Sequence, residues 1–192
     1  MEKKRRITYN SPVVLTFAIL CFIVLAVNYV TAGMSNKLLF MTYHSPLTSP
    51  LTYVRFFTHV LGHSGWGHFI GNMMYLLLLG PMLEEKYGSR AIIEVILITG
   101  FVTGVATWIL FPGISLCGAS GVVFAFIMMT SFTGFREGEI PLTVILVAVI
   151  FIGQQVYEGL FVQDDISNMA HILGGLVGAV AGYVLNKKSL NE

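Results

Sequence analysis

Two side chains of this sequence could act together as a nucleophile and its base: Ser120 and His171. Ser120 lies between glycines at the head of an apolar run, and His171 is the only histidine in the second half of the chain. A serine hydroxyl is a weak nucleophile unless a neighbouring base takes its proton, and histidine suits this task near neutral pH. The pair therefore predicts acyl-transfer chemistry.

Two further polar residues could stabilise the negative charge that such an attack creates. His68 and Asn72 are four residues apart, so they share one face of a helix. Their ring N–H and carboxamide, with the backbone N–H of Ser120, could donate hydrogen bonds to an oxyanion. The sequence places no carboxylate near Ser120 or in the run that holds His171, so we expect a Ser–His dyad. Cys117 is an alternative nucleophile, but no separate base is placed for it.

The composition indicates a membrane protein. Of the 192 residues, 55% are hydrophobic and only 11% are charged, whereas a soluble domain carries roughly 25% charged residues. About 20 apolar residues cross the hydrocarbon core of a bilayer as a helix. Suitable runs lie at about 13–32, 69–83, 91–111, 115–134, 141–161 and 167–186. We therefore expect an all-α bundle of six transmembrane helices, with one long folded external loop at residues 33–67.

The distribution of basic residues predicts the orientation in the membrane. If both termini are cytoplasmic, that side holds nine of the eleven lysines and arginines, in agreement with the positive-inside rule. We expect a cytoplasmic tip at 1–12, a six-helix membrane domain at 13–186 and a cytoplasmic tail at 187–192. The protein would be an integral protein of the plasma or cytoplasmic membrane with its active site open to the external side. The sequence has no extended basic face, which argues against nucleic-acid binding.

Local signals predict where the helices begin and end. Gly80-Pro81 predicts the end of helix 2, residues 84–90 a tight inside turn, and Ser115 the start of helix 4. Helices 2, 4 and 6 then run from outside to inside. The four polar groups described above therefore lie at one depth, in the outer half of the bilayer. Polar groups inside a membrane are costly, so this coincidence of depth indicates a functional site.

Three motifs in separate helices hold these polar residues. They are Gly118-Ala119-Ser120-Gly121, Ala170-His171-x-x-Gly174-x-x-x-Gly178 and His63-x-x-x-x-His68-x-x-x-Asn72. Each resembles a motif of the rhomboid intramembrane serine proteases, and the resemblance spans about residues 54–182. It implies a rhomboid-like bundle that hydrolyses peptide bonds within or next to transmembrane segments of other proteins.

The resemblance also implies roles for individual residues. Ser120 would be the nucleophile and His171 the general base, while His68, Asn72, Ala119 and Gly118 would bind the oxyanion and substrate. His63, Phe124, Gly174 and Gly178 would support them. Neither a cofactor nor a metal ion is expected. Substrates would be transmembrane proteins that enter from the lipid bilayer, past helix 5 and the loop at about 157–167.

Three positions depart from the pattern of the family. Val54-Arg55 stands where a Trp-Arg pair is usual, so the way in which the family anchors this loop need not apply here. We expect Arg55 to anchor the loop at headgroup level. Phe124 replaces a tyrosine one turn after the nucleophile, so the face that stacks beneath the histidine remains and the hydroxyl is lost. Cys117 stands where a glycine is frequent. None of these changes removes a reacting group.

Other functions also fit parts of the sequence. His59, His63 and His68 could be metal ligands, but His59 and His63 lack between them the glutamate of the zinc motif His-Glu-x-x-His. Asp164-Asp165 lies in a loop, which argues against an aspartyl protease. A non-proteolytic rhomboid-like binder or chaperone of transmembrane clients is a further alternative, as is a channel for small solutes or ammonium.

Overall fold

The structure, a computed structural model, describes residues 7–134, 139–161 and 165–190. Its helices are α1 (Pro12–Val30), α2 (Pro50–Thr58), α3 (Trp66–Leu110), α4 (Ser120–Ser131), α5 (Leu142–Phe161) and α6 (Asp165–Leu190). The other elements are the short strands β1 (Thr42–Tyr43) and β2 (Ser115–Leu116), a π-helical turn (Asn36–Phe40) and a 3₁₀ turn (His59–Leu61). The predicted all-α fold is confirmed.

Some predicted features lie outside the described residues. They are the basic residues at 3–6, Arg136 in the turn before helix 5, Asp164 in the entrance loop, and the end of the tail at 191–192. The predicted domain boundaries and the cytoplasmic location of both termini stay predictions.

Length and hydropathy identify the helices that can span a bilayer. In the described part of the chain, α1, α3 and Asn168–Lys187 of α6 are long and apolar enough to cross a membrane. Ser120–Ser131 and Leu142–Gln154 are shorter apolar helices. Large apolar side chains point away from the bundle, with Leu78 70% and Val149 64% exposed. Lipid covers such surfaces, so the chain is a membrane protein.

Element α3 consists of two helices that meet at Gly88, where the backbone is not helical, and it holds two of the predicted membrane spans. The prediction that helix 2 ends at Gly80-Pro81 is wrong, because the helix continues through this pair. Packing against a neighbouring helix stabilises such a turn, and a Cβ atom at Gly80 would lie 2.7 Å from Val14 of α1. The predicted turn at 84–90 is limited to Gly88, whose φ of 82° suits glycine. We call the parts before and after Gly88 the first and second arms of α3.

The buried carboxylate of Glu84 joins the first arm of α3 to the start of α1. Its oxygens accept hydrogen bonds from the backbone N–H groups of Val13 and Val14, each at 3.0 Å, and from the Ser89 hydroxyl at 2.7 Å. The first turn of a helix has N–H groups without helical partners and a partial positive charge. Within the described chain, Ser11 at the N-cap makes no side-chain cap hydrogen bond. Glu84 therefore caps α1 from another helix.

The loop between α1 and α3 is folded, as predicted, and it encloses Arg55. This side chain is only 6% exposed. Its Nε–H donates to the carbonyl oxygen of Leu38 at 2.9 Å, and its guanidinium lies 4.5 Å from the ring centroid of Tyr43. The charge of Arg55 is thus held inside the loop, and its location at headgroup level stays a prediction.

The same loop pairs with the segment that precedes α4. Strands β1 and β2 run antiparallel, with Thr42 opposite Leu116. The prediction that helix 4 starts near Ser115 is therefore wrong, and α4 begins at Ser120. Hydrogen bonds to a strand far away in the sequence keep residues 115–116 extended, although their apolar pattern is also compatible with a helix.

Candidate active site

The four polar side chains that were predicted to meet line one cavity. They are His68 and Asn72 from the first arm of α3, Ser120 from α4 and His171 from α6. The cavity has a volume of about 640 Å³. Helices that are distant in the sequence thus present a hydroxyl, two imidazoles and a carboxamide to the same space.

Ser120 is the first residue of α4, and the segment before it sets this position. Gly118 has a φ of 137°, a conformation that other residues rarely adopt, and Ala119 is fully buried. The first turn of a helix offers N–H groups without helical partners at the positive end of the helix dipole. An anion formed next to Ser120 would therefore be stabilised by the start of α4 itself.

Glycines bring α6 against α4 beside Ser120 and His171. A side chain added at Gly174 would overlap the carbonyl oxygen of Gly121, the residue after the serine. A Cβ atom at Gly121 would in turn lie 3.4 Å from the carbonyl oxygen of Ala170, the residue before the histidine. Small residues permit such close approach of membrane helices. The backbones that carry the two reacting side chains are therefore in contact.

The same glycine stripe continues along α6. A side chain added at Gly178 would overlap the carbonyl oxygen of Ala125, and a Cβ atom at Gly182 would lie 3.0 Å from the ring of Phe132. The stripe thus fixes the distance between α4 and α6 over two further turns. This is the structural contribution of Gly174 and Gly178 that the resemblance implied.

The imidazole of His171 stacks on Phe124. The two ring centroids are 4.3 Å apart, and the planes are inclined by 38°. Phe124 thus keeps the stacking face that was expected at this position. Aromatic packing restricts the plane of the imidazole and, with it, the directions in which its nitrogens point.

Asn72 presents a buried hydrogen-bond donor to the cavity. The residue is only 7% exposed, and within the described residues its Nδ2 has no hydrogen-bond partner. Buried polar groups are almost always paired. An unpaired donor in the wall of a cavity therefore indicates a position where a ligand atom binds. It lies 3.8 Å from the position of a Cβ atom at Gly118, beside the nucleophile.

His68 lies directly over Gly118. A Cβ atom at Gly118 would be 2.6 Å from Cε1 and 2.7 Å from Nε2 of His68, so a side chain there would displace the imidazole. The other ring nitrogen, Nδ1, is 3.2 Å from the hydroxyl of Ser64. When Ser64 donates to Nδ1, the ring proton is on Nε2, which then can donate to an oxyanion.

Gly118 and Ala119 shape the site through the backbone. The N–H of Gly118 donates to the carbonyl oxygen of His59 at 2.9 Å, so this group is already engaged with the loop. The carbonyl oxygen of Ala119 accepts from the N–H of Val123 at 2.9 Å. The contribution of Gly118 is therefore the space that it leaves for His68.

His63 lies behind His68 and packs against it, with ring centroids 5.1 Å apart. It is fully buried, and its Nδ1 lies 3.2 Å from the carbonyl oxygen of Leu61. Burial lowers the pKa of His63 to about 4, so its ring is neutral at neutral pH. His63 therefore supports the ring of His68 by packing against it.

His59 does not line the cavity and contacts the second arm of α3 instead. Its Nε2 lies 3.0 Å from the carbonyl oxygen of Gly100 and 3.3 Å from the hydroxyl of Thr103, both in the second arm of α3. Over the described ranges, no three His, Cys, Asp or Glu side chains lie close enough to hold a metal ion. The alternative of a histidine metal site gains no support from this part of the chain.

Cys117 lines the same cavity as Ser120. Its Cβ lies 3.1 Å from the position of a Cβ atom at Gly62, so the residue packs against the loop between α1 and α3. Ser120, and not Cys117, begins α4, where the N–H groups of the first helical turn can stabilise an anion. Ser120 is therefore the better candidate for the nucleophile.

Two other cavity residues escape the sequence analysis: Tyr75 of α3 and Gln154 of α5. Tyr75 follows Asn72 by three residues, so helical periodicity alone places it on the same face. Gln154 is an uncharged polar side chain inside an apolar run, which is a signal of an intramembrane site in its own right.

Known proteins that resemble the chain identify its family. The family described as "Rhomboid domain" matches residues 50–188. The chain is 34% identical over 162 residues to Rhomboid-related protein 2 of Mus musculus, which covers 72% of this chain and 53% of that protein. It is 24% identical over 147 residues to Rhomboid-like protein 11, chloroplastic, of Arabidopsis thaliana; this match covers 69% of this chain and 52% of that protein. The chain thus spans about half the length of these curated relatives. It belongs to the rhomboid family.

Proposed function

We propose that this chain is an intramembrane serine endopeptidase that uses a Ser120–His171 dyad. The observation that carries the proposal is the single cavity that Ser120 and His171 share with the unpaired donor of Asn72. A nucleophile, a base and an oxyanion donor around one space are the groups that peptide hydrolysis requires. A non-proteolytic binder of transmembrane segments would need none of them.

The reaction proceeds in two halves. The Oγ of Ser120 attacks the scissile carbonyl carbon while the imidazole of His171 takes the hydroxyl proton. Asn72 and His68 donate hydrogen bonds to the resulting oxyanion, and His171 then gives the proton to the leaving amine. Water, deprotonated by His171, attacks the acyl-enzyme, and the bond between the acyl carbon and Ser120 Oγ then breaks. His171 returns the proton to Oγ, and the acid product leaves and ionises in water.

The proposed substrates are membrane proteins cut within or next to a transmembrane segment. The cavity lies among helices whose outer faces contact lipid, so a substrate can approach from the bilayer, past α5. We place both termini in the cytoplasm and the cavity mouth on the external side, since the basic residues then follow the positive-inside rule. No cofactor takes part in these steps.

Substitution of the dyad tests the proposal. Ser120→Ala and His171→Ala should each reduce cleavage of a transmembrane reporter in lipid vesicles by a factor on the order of 10⁴. A fluorophosphonate should label the wild-type chain and neither variant. Ser131→Ala, at the opposite end of α4 where the hydroxyl donates to the carbonyl oxygen of Met128 at 2.7 Å, should retain both activities.

Cleavage at the wild-type rate in Ser120→Ala would disprove the dyad. If the wild-type chain binds a transmembrane segment but is neither labelled nor able to cut it, the binder or chaperone is the correct function. Solute flux through vesicles that hold the unlabelled chain would instead support the channel.

A further inference from the structure

The side chain of Phe151 distinguishes one position of α5 from the rest of this helix. Its neighbours Ile150 and Ile152 are 68% and 55% exposed, as expected for side chains that face lipid. Phe151 is 8% exposed, and it is the only buried side chain among the α5 residues whose burial is described. α5 therefore docks on the bundle through this ring.

The ring of Phe151 packs between α4 and α6. Its centroid lies 4.6 Å from that of Phe124, with 36° between the planes. On the other side, a Cβ atom at Gly175 would lie only 2.8 Å from Cε1 of Phe151. Gly175 is not part of the glycine stripe that contacts α4, so the ring of Phe151 explains why this position carries no side chain.

Phe124 has a second partner, the imidazole of His171, at 4.3 Å. Phe151, Phe124 and His171 thus form a row of three tilted rings in contact, which runs from α5 through α4 to α6 and which we call the stack. Because the contacts of Phe124 restrict the plane of the imidazole, the ring of Phe151 indirectly restricts it too.

We propose that Phe151 is a positioning residue for the base, so that His171 is held ready for proton transfer only while α5 is docked. The inference rests on the proposed function. A substrate that enters past α5 would displace Phe151 and loosen the stack. The ring would have to return before the serine is deprotonated. α5 then has two states: it is undocked while substrate enters, and it is docked during proton transfer.

A small probe separates this role from a simple barrier to substrate. A fluorophosphonate reacts with Ser120 without a transmembrane segment passing α5, so its labelling rate reports the dyad alone. In Phe151→Ala we expect labelling to slow by about two- to tenfold, the range that corresponds to the loss of one aromatic contact. Ile150→Ala, the lipid-facing neighbour, should label at the wild-type rate.

Gly175→Ala provides an independent variant, because it leaves Phe151 intact and only displaces its ring. We expect Gly175→Ala to slow labelling as Phe151→Ala does. In the double variant the two effects should not add, because the added methyl group then has no ring to displace. Phe151→Leu, which fills the space without a ring, should resemble Phe151→Ala and serves if the alanine variant fails to fold.

Equal labelling rates in the wild type, Phe151→Leu and Gly175→Ala would overturn the inference. So would faster cleavage of the transmembrane reporter at an unchanged labelling rate, because Phe151 would then only obstruct entry. Failure of the proposed function itself looks different, because the wild-type chain would not be labelled at all.

Discussion

Among single residues, Asn72 shows how a functional group can be told from a structural one. A buried donor that lines a cavity and has no protein partner is available to a ligand. Asn186, near the C-terminal end of α6, is the opposite case, since its Nδ2 donates to the carbonyl oxygen of Gly182 and to the hydroxyl of Tyr87, each at 2.6 Å. The two amides should therefore respond differently to removal.

Asn72→Ala should reduce turnover of the transmembrane reporter by about 10²–10³-fold, the scale for one oxyanion donor. Its Tm should be unchanged or higher, because within the described residues no hydrogen bond of Nδ2 is lost. Asn186→Ala should instead lower Tm and leave the turnover of the folded protein unchanged. Thermal unfolding and cleavage rates of both variants decide the matter, and a lower Tm with normal turnover in Asn72→Ala would contradict the assignment.

Residue types and spacing predicted four of the polar side chains that share the cavity, but not Tyr75 and Gln154. Helical periodicity joins His68 to Asn72, and the shared depth joins this pair to Ser120 and His171. The engagement of the Gly118 N–H could not be predicted, because its acceptor is a loop carbonyl far away in the sequence.

At the scale of helices and strands, the contact between α4 and α6 sets the distance between Ser120 and His171, the proposed nucleophile and base. Glycine is required there because carbonyl oxygens of α4 occupy the space of the missing side chains. Close contact of this kind makes the geometry of the site depend on the spacing of two backbones.

Gly178→Ala should force α6 away from the carbonyl oxygen of Ala125. Overpacking of this kind costs about 1–3 kcal/mol, so we expect a lower Tm and slower labelling of Ser120. Gly153→Ala on α5 is the matched control, since a Cβ atom at Gly153 would have nothing within 4 Å. Its Tm should be unchanged or higher. Equal Tm values for the two variants would show that the contact is not needed.

The cap that Glu84 provides should contribute to the stability of α1. Glu84→Gln removes the charge that accepts from two backbone N–H groups at the start of α1, and hydrogen bonds to charged groups contribute about 1.5–3 kcal/mol. We expect a clear fall in Tm. The exposed neighbour Glu85 supplies the control, because Glu85→Gln should leave Tm unchanged. A Glu84→Gln variant as stable as the wild type would mean that α1 is capped in another way.

The apolar helices of the bundle could be predicted from hydropathy, but their ends could not. Gly80-Pro81 is a strong local stop signal, yet packing against α1 keeps the helix intact until Gly88. Residues 115–116 are as apolar as a helix requires, yet β1 binds them as a strand. In both places a tertiary contact outweighs the local preference.

Across the whole molecule, buried histidines make stability depend on pH. Burial lowers the pKa of His59 from 6.5 to about 4. Between these values the unfolded chain binds a proton that the folded chain does not bind, so stability is lost as the pH falls from 6.5 towards 4. Above pH 6.5 the ring of His59 is neutral in both states, so no stability is lost there. The pKa of His63 is lowered in the same direction.

Tm measured in detergent between pH 7.5 and 4 should therefore fall in the acid part of this range. His59→Gln should reduce the slope without abolishing it, because His63 still contributes. The glutamine amide does not titrate in this range and can still donate towards Gly100. Identical slopes in the wild type and His59→Gln would show that His59 is not the titrating group.

The order of the helices along the chain has a consequence for biosynthesis. The proposed oxyanion donors are on α3 and the proposed nucleophile is on α4, whereas the proposed base is on α6, so it leaves the ribosome after the other groups of the cavity. Under the proposed function, Ser120 is an unreactive hydroxyl until α6 has been translated and has docked. A nascent chain of such a protease would therefore be unable to cut neighbouring membrane proteins while it is still being inserted.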